Sequence, residues 1–229
     1  TFGIMKTTGQ KILEFYKSVE LNSVKEKGVG VMNPFLSDEV LAINEVFYNK
    51  FFNDSGKRIF MIAINPGRFG AGVTGIPFTD PVELENEIGI PNSFQKRKEL
   101  SAVFIHDMIQ ALGGFEQFYN QFYITNVSPL GFVKDGKNLN YYDIPNLQKE
   151  LEPFIIRHMN HQVKQWGKTH IAFTIGKGKN FKAVVDLNKK HHWFDKIIAL
   201  PHPRWVMQYR LKSKDLILDE VIQTINKSI

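Results

Sequence analysis

Cysteine is absent from the 229 residues, which rules out disulfide bonds, thiol nucleophiles and thiolate metal sites. No apolar run approaches the roughly 20 residues that span a bilayer, so no membrane partner is expected. Thr1 to Thr8 lacks the charged-then-apolar pattern of a secretory leader. The expected location is the cytoplasm, with the nucleoid in a bacterial cell, or the nucleus in a eukaryote. No Pro/Ser/Gly-rich linker, block of like charge or internal repeat divides the chain. A single domain over 1–229 is therefore expected, with a helical N-terminal part (1–57), a core (58–210) and a C-terminal helix (211–229). His and carboxylate residues do not cluster at ligand spacing, so no metal is expected. No Ser stands at a nucleophile elbow, and neither a full phosphate loop nor a dinucleotide fingerprint is present. No cofactor is expected.

What the chain does have is apolar bulk and a modest positive charge. Hydrophobic residues make up 43% and aromatics 13%, with 19 Phe, enough for a large core. The net charge is +6, and many of the basic residues lie in the last third, from Lys164 to Lys214. A face built from them suits an anionic partner such as a phosphate backbone, although a solvated helix surface accounts for some of them equally well.

The run from Arg58 to Asp80, RIFMIAINPGRFGAGVTGIPFTD, organises the rest. Ile59 to Ile64 is apolar on every residue, as in a strand covered on both faces. It stops at Asn65-Pro66-Gly67, and a glycine-rich loop leads to Phe78. Asn-Pro-Gly is also ordinary turn chemistry. Three further strands are predicted: Phe122 to Thr125 ending at Asn126, Ile171 to Ile175 ending at Gly176-Lys177-Gly178-Lys179-Asn180, and Lys196 to Leu200 ending at Pro201-His202-Pro203-Arg204. Helices are predicted over Gln10–Leu21, Val40–Phe52 behind a Ser37 cap, 81–87, Lys98–Leu112, Asp143–Trp166 with a kink at Pro153, and Phe181–Asn188. A last helix runs from a Ser213 cap to about Ile225. Val127 to Tyr142 reads as a loop. The fold class is α/β: a three-layer α/β/α sandwich around a short, mainly parallel four-stranded sheet. In such a sheet the ligand crevice lies outside the carboxyl ends of the strands. Asn65, Asn126, Gly176 to Lys179 and His202 all stand there. Two amides, one imidazole and an aromatic suit a flat, uncharged ring with a donor–acceptor edge.

These residues resemble a known family. NPGRFGAGVTGIPF (Asn65 to Phe78) is similar to the first motif of the single-strand-selective monofunctional uracil-DNA glycosylases, NPG-x-[FW]-G followed by TG-[VI]-PF. ITNVSPLGFVKDGKNL (Ile124 to Leu139) resembles that family's uracil-reading segment. Gly176 to Asn180 and Pro201 to Arg204 resemble its later glycine-rich and histidine motifs. The family's last motif usually reads His-Pro-Ser-Pro-Arg, whereas here it is Leu200-Pro201-His202-Pro203-Arg204. Arg68 stands where the family often has a small residue or Pro.

The resemblance implies a metal-free, monofunctional glycosylase that hydrolyses the N-glycosidic bond of uracil or a related damaged base in single- or double-stranded DNA, acting as a monomer. It implies catalytic roles for Asn65, which holds the attacking water, and His202, which donates to the departing base. Phe78 stacks on the base and Asn126 reads its Watson–Crick edge. Gly67, Phe69 and Gly70 form a loose wall on the C5 side. Lys177, Lys179, Arg204, Trp205, Met207 and Arg210 contact DNA, with Trp205 or Met207 filling the vacated stack. The other class compatible with the sequence is a catalytically weak protein that binds damaged or single-stranded nucleic acid on the same fold.

Overall fold

The apolar runs do become parallel strands. The structure, a computed structural model, describes residues 5–229. Residues 1–4, part of the stretch searched for a leader, lie outside it. Seven strands form among the described residues: β1 (Val29–Met32), β2 (Arg58–Ala63), β3 (Phe122–Asn126), β4 (Gly131–Lys134), β5 (Lys137–Leu139), β6 (Gly167–Ile175) and β7 (Ile197–Leu200). The central sheet has the order β3-β2-β6-β7, every pair parallel. All six residues of β2 and all five of β3 are buried, as expected for strands covered on both faces.

The helices are α1 (Thr8–Lys17), α2 (Asp38–Phe51), α3 (Ala71–Thr74), α4 (Pro81–Asn86), α5 (Leu100–Ala111), α6 (Gly114–Gln121), α7 (Pro145–Trp166), α8 (Lys179–His191), α9 (Pro203–Tyr209) and α10 (Lys214–Asn226). α6 packs on β2 and β3, and α7 and α8 pack on β6. α1 and α2 pack together, and Phe15, Tyr16, Phe47, Tyr48 and Phe52 join the buried core. α7 runs through Pro153 as one helix. Ser37 caps α2 as predicted, its side chain accepting from the Val40 N–H. Ser213 stands before α10, but its side chain makes no capping hydrogen bond.

A second sheet is the main departure from the sequence reading. β1, β4 and β5 form a three-stranded antiparallel sheet in the order β1-β4-β5. The stretch read as a loop is thus largely a hairpin turning at Asp135-Gly136, where φ is 50° and 67°. An Asp-Gly pair between strands is the usual sequence of such a turn, because both central residues need positive φ. The N-terminal part is correspondingly not all helical, since β1 supplies the third strand.

Candidate active site

The carboxyl ends of the parallel strands lie level. Ala63 is in register with Asn126, and Ile175 with Leu200. The ladders continue past the strands, with the Val127 N–H donating to the Ala63 carbonyl and the Gly176 N–H to Leu200, both at 2.9 Å. This brings the four segments side by side. A cavity of about 140 Å³ opens there, and Asn65, Gly67, Phe78, Asn126, His202 and Arg204 all line it. A neighbouring cavity of about 470 Å³ is lined by Gly176 to Asn180, Tyr142 and Trp205, and shares Ile64 and His202 with the first.

The two asparagines are held differently. Asn65 donates to the Leu139 carbonyl at 3.2 Å and accepts from the Tyr141 N–H at 3.0 Å. Its amide is therefore fixed in orientation by the end of β5, with one oxygen lone pair left over. The Asn126 side chain is buried at the end of β3, yet it has no hydrogen-bond partner among the described residues. Asn126 lines the cavity, so a ligand edge there can pair with its amide.

His202 stands at the N-cap of α9, where its Nδ1 accepts the Arg204 N–H at 3.2 Å. In the neutral ring that leaves the proton on Nε2 as the available donor. Burial, helped by the Arg204 guanidinium, pushes its pKa down to about 4. The imidazole is therefore neutral near pH 7.

Phe78 takes up a left-handed backbone with φ 51°. That costs a bulky L-residue on the order of 1 kcal/mol and persists only where the surroundings enforce it. They do so here. Thr74 Oγ1 donates to the Thr79 carbonyl at 2.6 Å, and Asn44 of α2 donates to the Thr74 carbonyl at 2.7 Å. Asp80 then accepts from the Val82 and Glu83 N–H groups and, through its other oxygen, from the Glu99 N–H at 2.6 Å.

Several expected residues fall elsewhere. Phe69 does not line the cavity. The Arg68 and Arg97 guanidinium groups both lie over its ring, 4.4 and 4.2 Å from its centroid. Gly70 is buried beneath the Glu99 side chain, and a Cβ there would overlap that carboxylate. The wall expected to be loose is thus covered. Arg68 clamps the same loop to the hairpin, its N–H donating to Asn138 Oδ1 at 3.0 Å and its guanidinium to the Gly136 carbonyl.

Lys177, Lys179 and Trp205 line the second cavity, whereas Met207 and Arg210 line neither. The Arg210 guanidinium lies over the Trp205 ring at 5.2 Å. Of the basic residues in the last third, Lys182, Lys189, Lys190 and Lys214 are paired with carboxylates and so contribute less to a positive face.

A family model described as the uracil DNA glycosylase superfamily matches residues 50–226. The chain belongs to the uracil DNA glycosylase superfamily. The solved structure of wild-type SMUG2 from Pedobacter heparinus is similar to it at 40% sequence identity, with a TM-score of 0.93, covering 97% of this chain and 98% of that one. The motif resemblance and the α/β/α fold drawn from the sequence are thereby borne out. No helix among the described residues of this superfamily member is long and apolar enough to cross a membrane.

Asn138, Asn140, Ser101 and Glu99 also line the first cavity, and none of them stands out in the sequence. Glu99 is the most consequential. It follows Lys96-Arg97-Lys98, inside the helix expected to begin at Lys98. The helix begins instead at Leu100, which makes Glu99 the N-cap residue. Burial, with the Asp80 carboxylate adding and Arg204 opposing, pushes its pKa up to about 7.

Proposed function

We propose that this chain is a monofunctional, metal-free DNA glycosylase that hydrolyses the N-glycosidic bond of uracil and related damaged bases. The observation that carries the reading is the meeting of Asn65, Phe78, Asn126 and His202 around one cavity at the carboxyl ends of the sheet. A base inside a duplex is out of reach of such a cavity, so the nucleotide is extruded into it.

Each group then has a part. Phe78 stacks on the base. The Asn126 amide, which the protein leaves unpaired, accepts from N3–H and donates to O4. Cytosine, whose N4 donor and N3 acceptor reverse that pattern, is refused because buried groups would go unsatisfied. Asn65 orients the attacking water through its fixed amide oxygen. An amide is a poor base, so the bond breaks before water adds, giving an oxocarbenium-like sugar and an anionic base. The neutral His202 Nε2–H donates to the charge that develops on O2. One such donor is typically worth about 10²–10³ in rate. No lysine lines the cavity among the described residues, so no amine is placed to form a Schiff base and continue to strand cleavage. Lys177 and Lys179 bind phosphate, and Trp205 covers the gap in the stack.

The test is abasic-site formation on a uracil-containing oligonucleotide in the presence of a chelator. Excision without strand breakage is expected. Asn65→Ala should lower the single-turnover rate by about 10²-fold or more while DNA binding is retained, since misplaced water alone costs that much. Binding with no abasic sites would favour the non-catalytic reading.

A further inference from the structure

The pocket contains a carboxyl group that the mechanism above does not use. Glu99 occupies the N-cap position of α5, where an acidic side chain ordinarily turns back to accept N–H groups of the first helical turn. It makes no such bond. Its backbone N–H is pinned to Asp80, and its side chain turns over Gly67 and Gly70, lining the cavity. Among the described residues the carboxyl has neither a hydrogen-bond partner nor a cation within ion-pair distance. The charged groups around it are accounted for. Asp80 lies on one side and repels a negative charge, and Arg204, the cation lining the same cavity, stops short of an ion pair. Arg97 and Arg68 are spent on the Phe69 ring, and Lys98 acts on Glu83. An unpaired carboxyl in such a place favours its neutral form. Burial and Asp80 bring its pKa to about 7, against the opposing pull of Arg204.

Resting on the glycosylase reading, we infer that Glu99 is a catalytic residue: its neutral carboxyl donates a hydrogen bond to an oxygen of the departing base. The N-glycosidic bond breaks with its electron pair leaving on the base. Glu99 keeps its proton and shares it with the base oxygen. Water then adds hydroxyl to the sugar and yields a proton to the base anion. Once ionised, Glu99 both loses its donor and sets a negative charge beside a leaving anion, so excision is slowed.

Single-turnover excision of uracil at saturating enzyme, from pH 5.5 to 8.5, tests this. The wild-type rate should be level below pH 6.5 and fall toward tenfold per pH unit above pH 7.5. Glu99→Gln, whose amide still donates but does not ionise, should be level throughout and within about tenfold of wild type at pH 6. Glu99→Ala should be about 10²-fold slower at pH 6. Carboxyl ¹³C NMR of the wild type should show Glu99 titrating near pH 7. An alkaline fall that persists in Glu99→Gln, a wild-type rate that rises with pH, or a Glu99 titration below pH 5 would overturn this inference alone. No excision by the wild type at any pH would overturn the glycosylase reading and this inference with it.

Discussion

At the scale of single residues, the pocket holds a titratable ring kept uncharged beside a fixed cation. His202 is half-buried beside Arg204, and the lost solvation holds its pKa near 4. Its folded-state value lies below the ordinary value of about 6.5. Stability from the neutral imidazole is therefore fully present above pH 6.5 and is lost as pH falls from there toward 4. In that window the unfolded chain takes up a proton that the folded one refuses. The loss is at most about 1.4 kcal/mol per pH unit, and less because the ring is partly exposed. Two outcomes are expected. In Glu99→Gln, whose amide does not ionise, the excision rate should show no inflection near pH 6.5 if the neutral ring is the donor. Denaturant titrations between pH 4.5 and 6.5 should show a steeper acid loss of stability for wild type than for His202→Gln. In that variant an excision limb centred at 6.5 would mean that the ring titrates freely and acts as a cation. His202 was legible in the sequence because it ends an apolar run. Glu99 was not, since a carboxylate after three cations reads as a solvated helix start until the chain folds it over a glycine.

At the scale of elements, the four parallel strands were legible because a continuous apolar run that stops at Asn, Gly or Pro fits a buried strand and little else. The second sheet was not. β5 is Lys-Asn-Leu, too short and polar to show a period, and β1 carries a glycine at its second position and meets β4 from a hundred residues away. Only the Asp135-Gly136 turn betrayed it. The consequence reaches the site, because the end of β5 fixes the Asn65 amide and Arg68 ties the motif loop to the hairpin. α2 plays the matching part on the other side. Its Asn44, fully buried, donates to the Thr74 carbonyl and so supports the strained turn that presents Phe78. Asn44→Ala should destabilise the fold by about 1–3 kcal/mol, since that carbonyl is left buried without its donor. It should also slow uracil excision at a temperature where the variant remains folded, although Asn44 is not among the residues lining the cavity. Full activity in a folded Asn44→Ala would show that the turn holds Phe78 without help from α2.

At the scale of the whole molecule, charge and shape have to be separated. A net charge of +6 suggests a nucleic-acid face, yet four of the C-terminal lysines are already paired with carboxylates. What remains near the site is local: Lys177 and Lys179 on the second cavity, with Arg204 at the first. That cavity shares His202 and Ile64 with the first, so a strand whose base enters one is led past the other. If the two lysines each neutralise a phosphate, counterion release makes binding fall with salt by a slope of about −0.7 per contact on single strands and about −0.9 on duplex. Lys177→Ala/Lys179→Ala should therefore weaken binding to any sequence and reduce the salt slope by about one to two. It should leave the single-turnover rate at saturating enzyme within a few-fold of wild type, because neither side chain lines the first cavity. An unchanged slope would place the phosphates elsewhere, with Arg204 and Arg210 the next to test. A reduced rate at saturation would mean that the phosphate grip also positions the base.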